Sequence, residues 1–341
     1  MPRLWLLVFV VAPLFAQQGP SVKNGAEFSE FYVHDPFILA YKETKTYYLY
    51  NSAGARQLGG QRGGVVAYRS KDLLHWDGPY TVFQIPDGLW ADPREGVWAP
   101  EVHLYRGRYY LLATLHNSNR PLPYADEEKL PIYNGRKAKP HMRGTQIFVA
   151  DTPEGPFKPL GNSPAPPADL MTLDGTLYVE DGTPYMVYAH EWLQTLDGTM
   201  EAVPLKVDLS TAAGEPFLLF RASEAPWVKK RESKPGDLAT YVTDGPFLYR
   251  TKTGKLLMLW SSYRDGLYVE TLAYSASGTL RGPWKQGDVL VGNDSGHGML
   301  FESFEGKLML VLHQPFRQAH GKLFEMEDTG DTVRVKRQIV Y

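Results

Sequence analysis

The chain has 341 residues, a formal net charge of −2, 43% hydrophobic and 13% aromatic residues, and no cysteine. That length suits two average domains or one large all-β domain, with ample material for a core. The lack of cysteine excludes disulfides, thiolate catalysis and Cys-ligated zinc, and without a basic tract there is no electrostatic footprint for nucleic acid.

The first twenty residues read MPRLWLLVFVVAPLFAQQGP. Arg3 supplies a short positive region, residues 4 to 11 an apolar core, and Ala16 a small residue ahead of Gln17. This pattern predicts a secretory signal peptide over residues 1–16. The apolar run is shorter than the ~20 residues that span a bilayer. The chain is therefore expected to be exported, to the periplasm or the extracellular space, with no membrane association after cleavage. Leu14, three residues before the cut, leaves a different cut or a retained anchor open. Residues 24–341 are expected to form a single domain.

Beyond residue 24 no long stretch carries apolar residues at helical spacing. Short alternating or apolar runs bounded by Gly, Pro, Asp and Asn predict strands and turns instead. Five hairpin units recur at roughly 50- to 75-residue spacing. They are DPFILAYKETKTYYLYNS from Asp35, EVHLYRGRYYLLAT from Glu101, DGTLYVEDGTPYMVYAHE from Asp174, DGPFLYRTKTGKLLMLWSS from Asp244 and HGMLFESFEGKLMLVLHQP from His297. A second mark closes a third strand and opens a fourth: GPY at 78–80, GPF at 155–157, EPF at 215–217 and GPW at 282–284. Five units of four antiparallel strands predict an all-β, five-bladed β-propeller. A sandwich would give no reason for an ionisable residue at the same place in every hairpin. Residues 117–140, charged and Pro-rich, read as a loop inserted between the second and third strands of the second blade.

The first strand of each propeller blade lines the central axis. Asp35, Glu101, Asp174, Asp244 and His297 are thus expected to ring one mouth, with Asn51, His116, Glu191, Ser261 and His313 on its rim. Any one of these acids alone reads more simply as a strand-end cap or a structural cation ligand. Together they point to chemistry, because crowded carboxylates drive their pKa values apart. That separation is what the general base and general acid of a glycosidase require. Phe37, Trp90, Trp98 and Trp192 are candidates for a sugar platform or for packing between blades. Arg264 and Arg317, just after second-strand ends, are candidate donors to sugar hydroxyls or a uronate.

Several of these motifs together resemble glycoside hydrolase family 43. They are Asp35-Pro36, Trp98-Ala99-Pro100-Glu101 with His103, Asp174 in LDGTLYVEDGTPY, the GPFLYRTKTGKLLMLWSS unit, and His297 in GHGMLF. The resemblance spans about residues 30 to 317. It implies a five-bladed propeller and an inverting enzyme acting on α-L-arabinofuranosyl or β-D-xylosyl linkages, more rarely on β-1,3-galactan. It implies that Asp35 is the general base and that Asp174 tunes and orients the acid. The family's acid is a Glu before Gly-Pro, and here that place holds Asp244, one methylene shorter. Glu191 in AHEW, flanked by His190 and Trp192, and Glu224 in SEAPW are the other candidates for the acid. Glu101, Trp98, Phe37, Trp192 and Arg317 are the expected substrate contacts. His297 is expected beside a water-coordinated channel cation, usually calcium, while the chemistry itself needs no cofactor.

The expected activity is inverting hydrolysis of arabinofuranosyl or xylosyl side chains of plant-type polysaccharide or oligosaccharide, with carbohydrate as the partner. A sugar-binding propeller without hydrolysis and a retaining furanosidase of a related propeller family are the alternatives.

Overall fold

The computed structural model describes residues 22–124, 130–133, 136–230 and 239–340. The predicted signal peptide and the middle of the 117–140 insertion lie outside them.

Each predicted hairpin forms the two inner strands of a four-stranded antiparallel sheet, so the five-bladed propeller expected from the repeat is the observed fold. A short strand, β1 (Lys23–Ala26), precedes the blades. Blade one is β2 (Phe37–Tyr41), β3 (Thr46–Ala53), β4 (Gly64–Ser70) and β5 (Trp76–Gln84), and β1 pairs along its outer edge. Blade two is β6 (Val97–Tyr105), β7 (Arg108–Pro121), β10 (His141–Ala150) and β11 (Lys158–Pro159); between its middle strands, β8 (Ile132–Tyr133) and β9 (Arg136–Lys137) form a separate ladder. Blade three is β12 (Thr172–Glu180), β13 (Thr183–His190), β14 (Thr199–Pro204) and β15 (Phe217–Arg221). Blade four is β16 (Asp244–Arg250), β17 (Leu256–Arg264), β18 (Leu267–Ser275) and β19 (Trp284–Val291). Blade five is β20 (Gly296–Glu302), β21 (Leu308–Gln314), β22 (His320–Asp328) and β23 (Val333–Ile339).

Burial follows the strand's place in its blade. The second strands β3 and β17 are buried along nearly their whole length, because both faces of a blade are covered by neighbouring blades. Outermost β23 reads VRVKRQI and is exposed along most of its length.

The insertion differs from the expected loop. Strand pairing continues past His116, with Met142 opposite Asn117 and His141 opposite Pro121 across a bulge. The ladder of Ile132–Tyr133 with Arg136–Lys137 follows. The Pro-rich composition concealed an extended hairpin arm, because the prolines sit where its strands break.

The ring closes through residues 27–33, which cross from blade one to blade five. Val33 N–H donates to Ala319 O at 2.9 Å, and His320 Nδ1 lies 3.1 Å from Phe28 O and 3.0 Å from Phe31 O. The Phe28 ring occupies the space above Gly321, where a Cβ would come within 2.8 Å of it.

The start of each first strand carries the feature that builds the site. Blades two to five show a register slip there, three residues set against two: Trp98 to Glu101, Leu173 to Thr176, Asp244 to Phe247 and Gly296 to Met299. These are β-bulges, which re-aim side chains. Their second residue has positive φ: Ala99 at 40°, Asp174 at 55°, Gly245 at 55° and His297 at 54°, matched in blade one by Asp35 at 49°. Asp and His are among the side chains that tolerate this region best. Pro or Gly follows in all five: Pro36, Pro100, Gly175, Pro246 and Gly298.

A bulge frees backbone donors from the ladder, and buried donors need partners. Side chains of the preceding blade supply them. Thr114 Oγ1 accepts from Asp174 N at 2.9 Å, Ser261 Oγ from His297 N at 2.8 Å and His313 Nδ1 from Asp35 N at 3.2 Å. Gly175 N is satisfied by Thr145 Oγ1 and Gly298 N by Glu270 Oε2. The site's backbone is therefore locked by ties between blades.

Candidate active site

Three imidazoles converge on one carboxylate oxygen. Asp35 Oδ1 lies 2.9 Å from His34 Nδ1, 3.1 Å from His297 Nδ1 and 3.4 Å from His313 Nδ1. Burial alone would raise the pKa of Asp35, but His297 and His34 outweigh it and hold the carboxyl well below the usual range. For His297, burial works against the charged ring, yet Asp35 and Asp174 lift its pKa to about 10. His313 goes the other way, because burial and the neighbouring His34 push it well below its ordinary value. Asp35 is thus an ionised carboxylate beside an imidazolium.

Asp174 and Asp244 behave oppositely. Burial, with the nearby Asp35 charge, lifts Asp174 to about 7 against the pull of His297. Its Oδ2 accepts Gly245 N–H at 3.2 Å and lies 3.8 Å from His297 Nδ1. Burial and then Asp174 raise Asp244 well above the carboxylate range. Tyr268 OH donates to Asp244 Oδ2 at 3.1 Å. The cluster therefore holds one carboxylate that keeps its charge and two that hold a proton more tightly, the division that acid–base cleavage of an acetal needs. Behind it Glu270 is fully buried, raised to about 8 by desolvation, and accepts from Gly298 N at 2.7 Å and Ser261 Oγ at 3.0 Å.

The five expected mouth residues do not share one position. Asp35, Asp174 and His297 occupy the positive-φ place of their bulges, but Glu101 comes two residues after Ala99 and Asp244 one residue before Gly245. Asp244 still joins the cluster. Glu101 pairs with His103 Nε2 at 2.7 Å. The expected rim residues Asn51, His116, Glu191, Ser261 and His313 are all buried and lie beneath the mouth, where Ser261 and His313 tie blades together.

Glu191 Oε2 is engaged by Arg143 Nη1 in a buried ion pair. Arg143 Nε donates to His116 Nδ1 at 2.9 Å, and its guanidinium lies 4.3 Å from the centre of the Trp98 ring. No contact links Glu191 to the three aspartates among the described residues. Glu224 closes a short 3-10 turn after β15, where its Oε1 accepts Arg221 N–H at 3.0 Å. Trp98 is exposed at the mouth. Phe37 and Trp192 are not: Phe37 packs against His103 and Phe247, and Trp192 lies in the core between blades three and four. Trp90 is likewise buried, with Nε1 bonded to Gln146. Arg264 sits beside Asp265 at 3.7 Å, and Arg317 is exposed. Sequence reasoning missed Arg143, Tyr268 and Glu270, which lie in third strands away from the repeat marks. The Pro or Gly that follows the positive-φ residue in all five blades is the one local mark these bulges leave in the sequence.

A channel calcium ion takes about six to eight oxygen ligands. The oxygens facing His297 are those of Asp35 and Asp174, already engaged by imidazoles and by Gly245 N–H. His34, Asp35 and His313 bring two ring nitrogens and one carboxylate within 4.8 Å of one another, a set that suits a transition metal better than calcium. The described side chains alone thus do not form a calcium cage, and a cation beside His297 would be held largely through water.

Residues 28–336 match the sequence profile of the glycosyl hydrolases family 43. The chain belongs to that family. It is an enzyme of the glycoside hydrolase class, acting on carbohydrate. No curated protein matches it. Among solved structures, an endo-arabinase from Bacteroides thetaiotaomicron is 38% identical, covers 89% of this chain and 98% of its own, and superposes with a TM-score of 0.76. A thermostable family-43 glycoside hydrolase is 19% identical, with 94% of each chain covered and a TM-score of 0.67. An α-L-arabinofuranosidase from Lactobacillus brevis is 18% identical, covering 93% of this chain and 99% of its own, with a TM-score of 0.67. At those identities the last two show the shared propeller alone.

Proposed function

We propose that this family 43 enzyme hydrolyses α-L-arabinofuranosyl linkages of an arabinan-type polysaccharide, with inversion of configuration. Asp35 is the general base and Asp244 the general acid, while Asp174 raises the proton affinity of Asp244. The observation that carries the reading is the placement of Asp35 against the rings of His34, His297 and His313, with Asp244 buried beside Asp174 under the Tyr268 hydroxyl, which displaces the two carboxyls in opposite directions. The ionised Asp35 takes a proton from the attacking water as the water's oxygen bonds to the anomeric carbon. The protonated Asp244 gives its proton to the leaving oxygen as the glycosidic bond breaks. His297 keeps Asp35 ionised, and Tyr268 holds the Asp244 carboxyl in place. Glu191 is the less suitable donor, because its carboxylate already compensates the buried charge of Arg143.

Arabinose is favoured over xylose by the 38% identity to an arabinase along nearly the whole of that chain. The apolar N-terminal run supports action outside the cytoplasm, where a polysaccharide that cannot cross a membrane unaided is met. Among the described residues no helix is long and apolar enough to span a membrane.

Proton NMR of the first-formed sugar tests the mechanism. The expected product from an α-L-arabinofuranoside is the β-anomer. First appearance of the α-anomer would establish retention and overturn the assignment of Asp35 as a base acting through water. Aryl arabinofuranosides, xylosides and galactosides, assayed side by side, test the choice of sugar.

A further inference from the structure

Glu270 is the most deeply buried carboxyl among the described residues, and no catalytic step above uses it. It stands on β18 two residues after Tyr268, so both side chains leave the same face of the strand. From that face Tyr268 reaches Asp244, and Glu270 reaches the bulge that carries His297.

The contacts hold both peptide planes beside His297. Ser261 Oγ accepts His297 N–H at 2.8 Å, and Glu270 Oε2 accepts Gly298 N–H at 2.7 Å. The Ser261 hydroxyl donates to the same Oε2 at 3.0 Å. The two N–H groups lie on either side of His297 Cα, so holding them fixes its φ of 54° and the direction in which the imidazole leaves the backbone. The approach is close, since a Cβ on Gly298 would lie 3.0 Å from Glu270 Oε2. The ring so aimed sets its Nδ1 3.1 Å from Asp35 Oδ1.

Blade two ties the Asp174 bulge in the same way with smaller groups. Thr114 and Thr145 stand opposite each other in β7 and β10, as Ser261 and Glu270 do in β17 and β18. Their hydroxyls accept from Asp174 N and Gly175 N. A hydroxyl thus suffices to satisfy a bulge donor. In blade four the same place holds a carboxyl that burial lifts to about 8, with its Oε1 buried and unpartnered among the described residues. Burying such a group is costly, and its long reach places an acceptor directly against the backbone of the one residue that aims a cationic ring at Asp35.

We propose that Glu270 is a positioning residue for the general base: by accepting Gly298 N–H and the Ser261 hydroxyl it sets the His297 imidazole against Asp35. It acts through His297 alone. Asp35 is also faced by His34 from its own segment, by His313 from β21, by Asp174 from β12 and by Asp244 from β16. The inference rests on the reading of Asp35 as the base.

The test uses the full-length enzyme and the aryl glycoside that the wild type hydrolyses fastest. Glu270→Ala is expected to lower kcat about 10²-fold, the scale of a misplaced reacting group, with KM nearly unchanged. Glu270→Gln, whose amide oxygen accepts the same two donors, is expected to keep most of the activity. In a His297→Ala background Glu270→Ala is expected to cost nothing further. If Glu270→Ala does not fold, Ser261→Ala removes one contact of the same chain and is expected to give a smaller loss, likewise absorbed by His297→Ala. Equal losses in the Gln and Ala variants, or a full further loss without the His297 ring, would overturn the inference. The ring nitrogen NMR signals of His297, identified by their absence in His297→Ala, read its placement without turnover. They are expected to shift in Glu270→Ala and to return in Glu270→Gln, and signals unmoved in Glu270→Ala would overturn the inference. Asp35→Asn separates the two readings. Undiminished turnover there removes Asp35 as the base, while the His297 signals still decide whether Glu270 places that ring.

Discussion

Replacing Asp244 by Asn removes the transferable proton and little else. The Asn amide has the size of the carboxyl, and its oxygen can still accept the Tyr268 hydroxyl now 3.1 Å away. A general acid contributes roughly 10²–10⁴-fold to the rate, so kcat on a natural arabinoside is expected to fall by about that factor, on the order of 3–5 kcal/mol of barrier. An aryl glycoside with a strongly acidic phenol leaves with little protonation, and its loss is expected to be far smaller. The stability change has a definite sign. Burial and Asp174 raise the folded-state pKa of Asp244. The favourable contribution of a raised carboxyl is complete below its unfolded value near ~3.9 and is lost as pH climbs through the folded value. Asn does not titrate, so at neutral pH the variant is expected to be at least as stable as the wild type in urea denaturation. Two results would refute the reasoning. One is equal loss on natural and aryl substrates. The other is a leaving-group-selective loss in Glu191→Gln instead.

Glu191→Gln leaves the Arg143 guanidinium buried without its counter-charge, and a loss of about 3–5 kcal/mol is expected, read as a lower urea midpoint; an unchanged midpoint would show that the pair is not structural. Asp174→Asn removes the charge that raises Asp244, so the alkaline limb of the kcat/KM profile is expected to move to lower pH. An alkaline limb that stays in place would mean that Asp174 does not tune the acid. Gly245→Ala places a Cβ 2.9 Å from His297 Cγ at a φ of +55°. The backbone cost is about 1–2 kcal/mol, and the displaced imidazole weakens its hold on Asp35, so the acid limb is expected to move to higher pH while the urea midpoint falls. An unaltered pH profile would show that Asp35 does not depend on His297.

The sequence by itself determined the propeller. Alternating apolar runs, Gly-rich turns and the Gly-Pro marks are local features, and five repeats leave few other ways to bury two-sided sheets. Asp35, Asp174 and His297 were legible because each heads a hairpin and each belongs to a residue type that accepts positive φ. Tertiary structure alone decided the register and the partners. The bulges set Glu101 and Asp244 off the shared position by two residues and by one, and an offset of one residue changes which way a strand side chain points. His313 reaches Asp35 across 278 positions of chain, because the last blade closes against the first. Arg143 and Glu191 meet only when blades two and three pack, which turned a candidate acid into the partner of a buried cation. Phe37 and Trp192 carried the composition of a sugar platform and went into the core, while Tyr32, outside every repeat mark, stayed at the surface. Strand formation depends on neighbours along the chain, but a site at the axis depends on how five separate sheets are brought together.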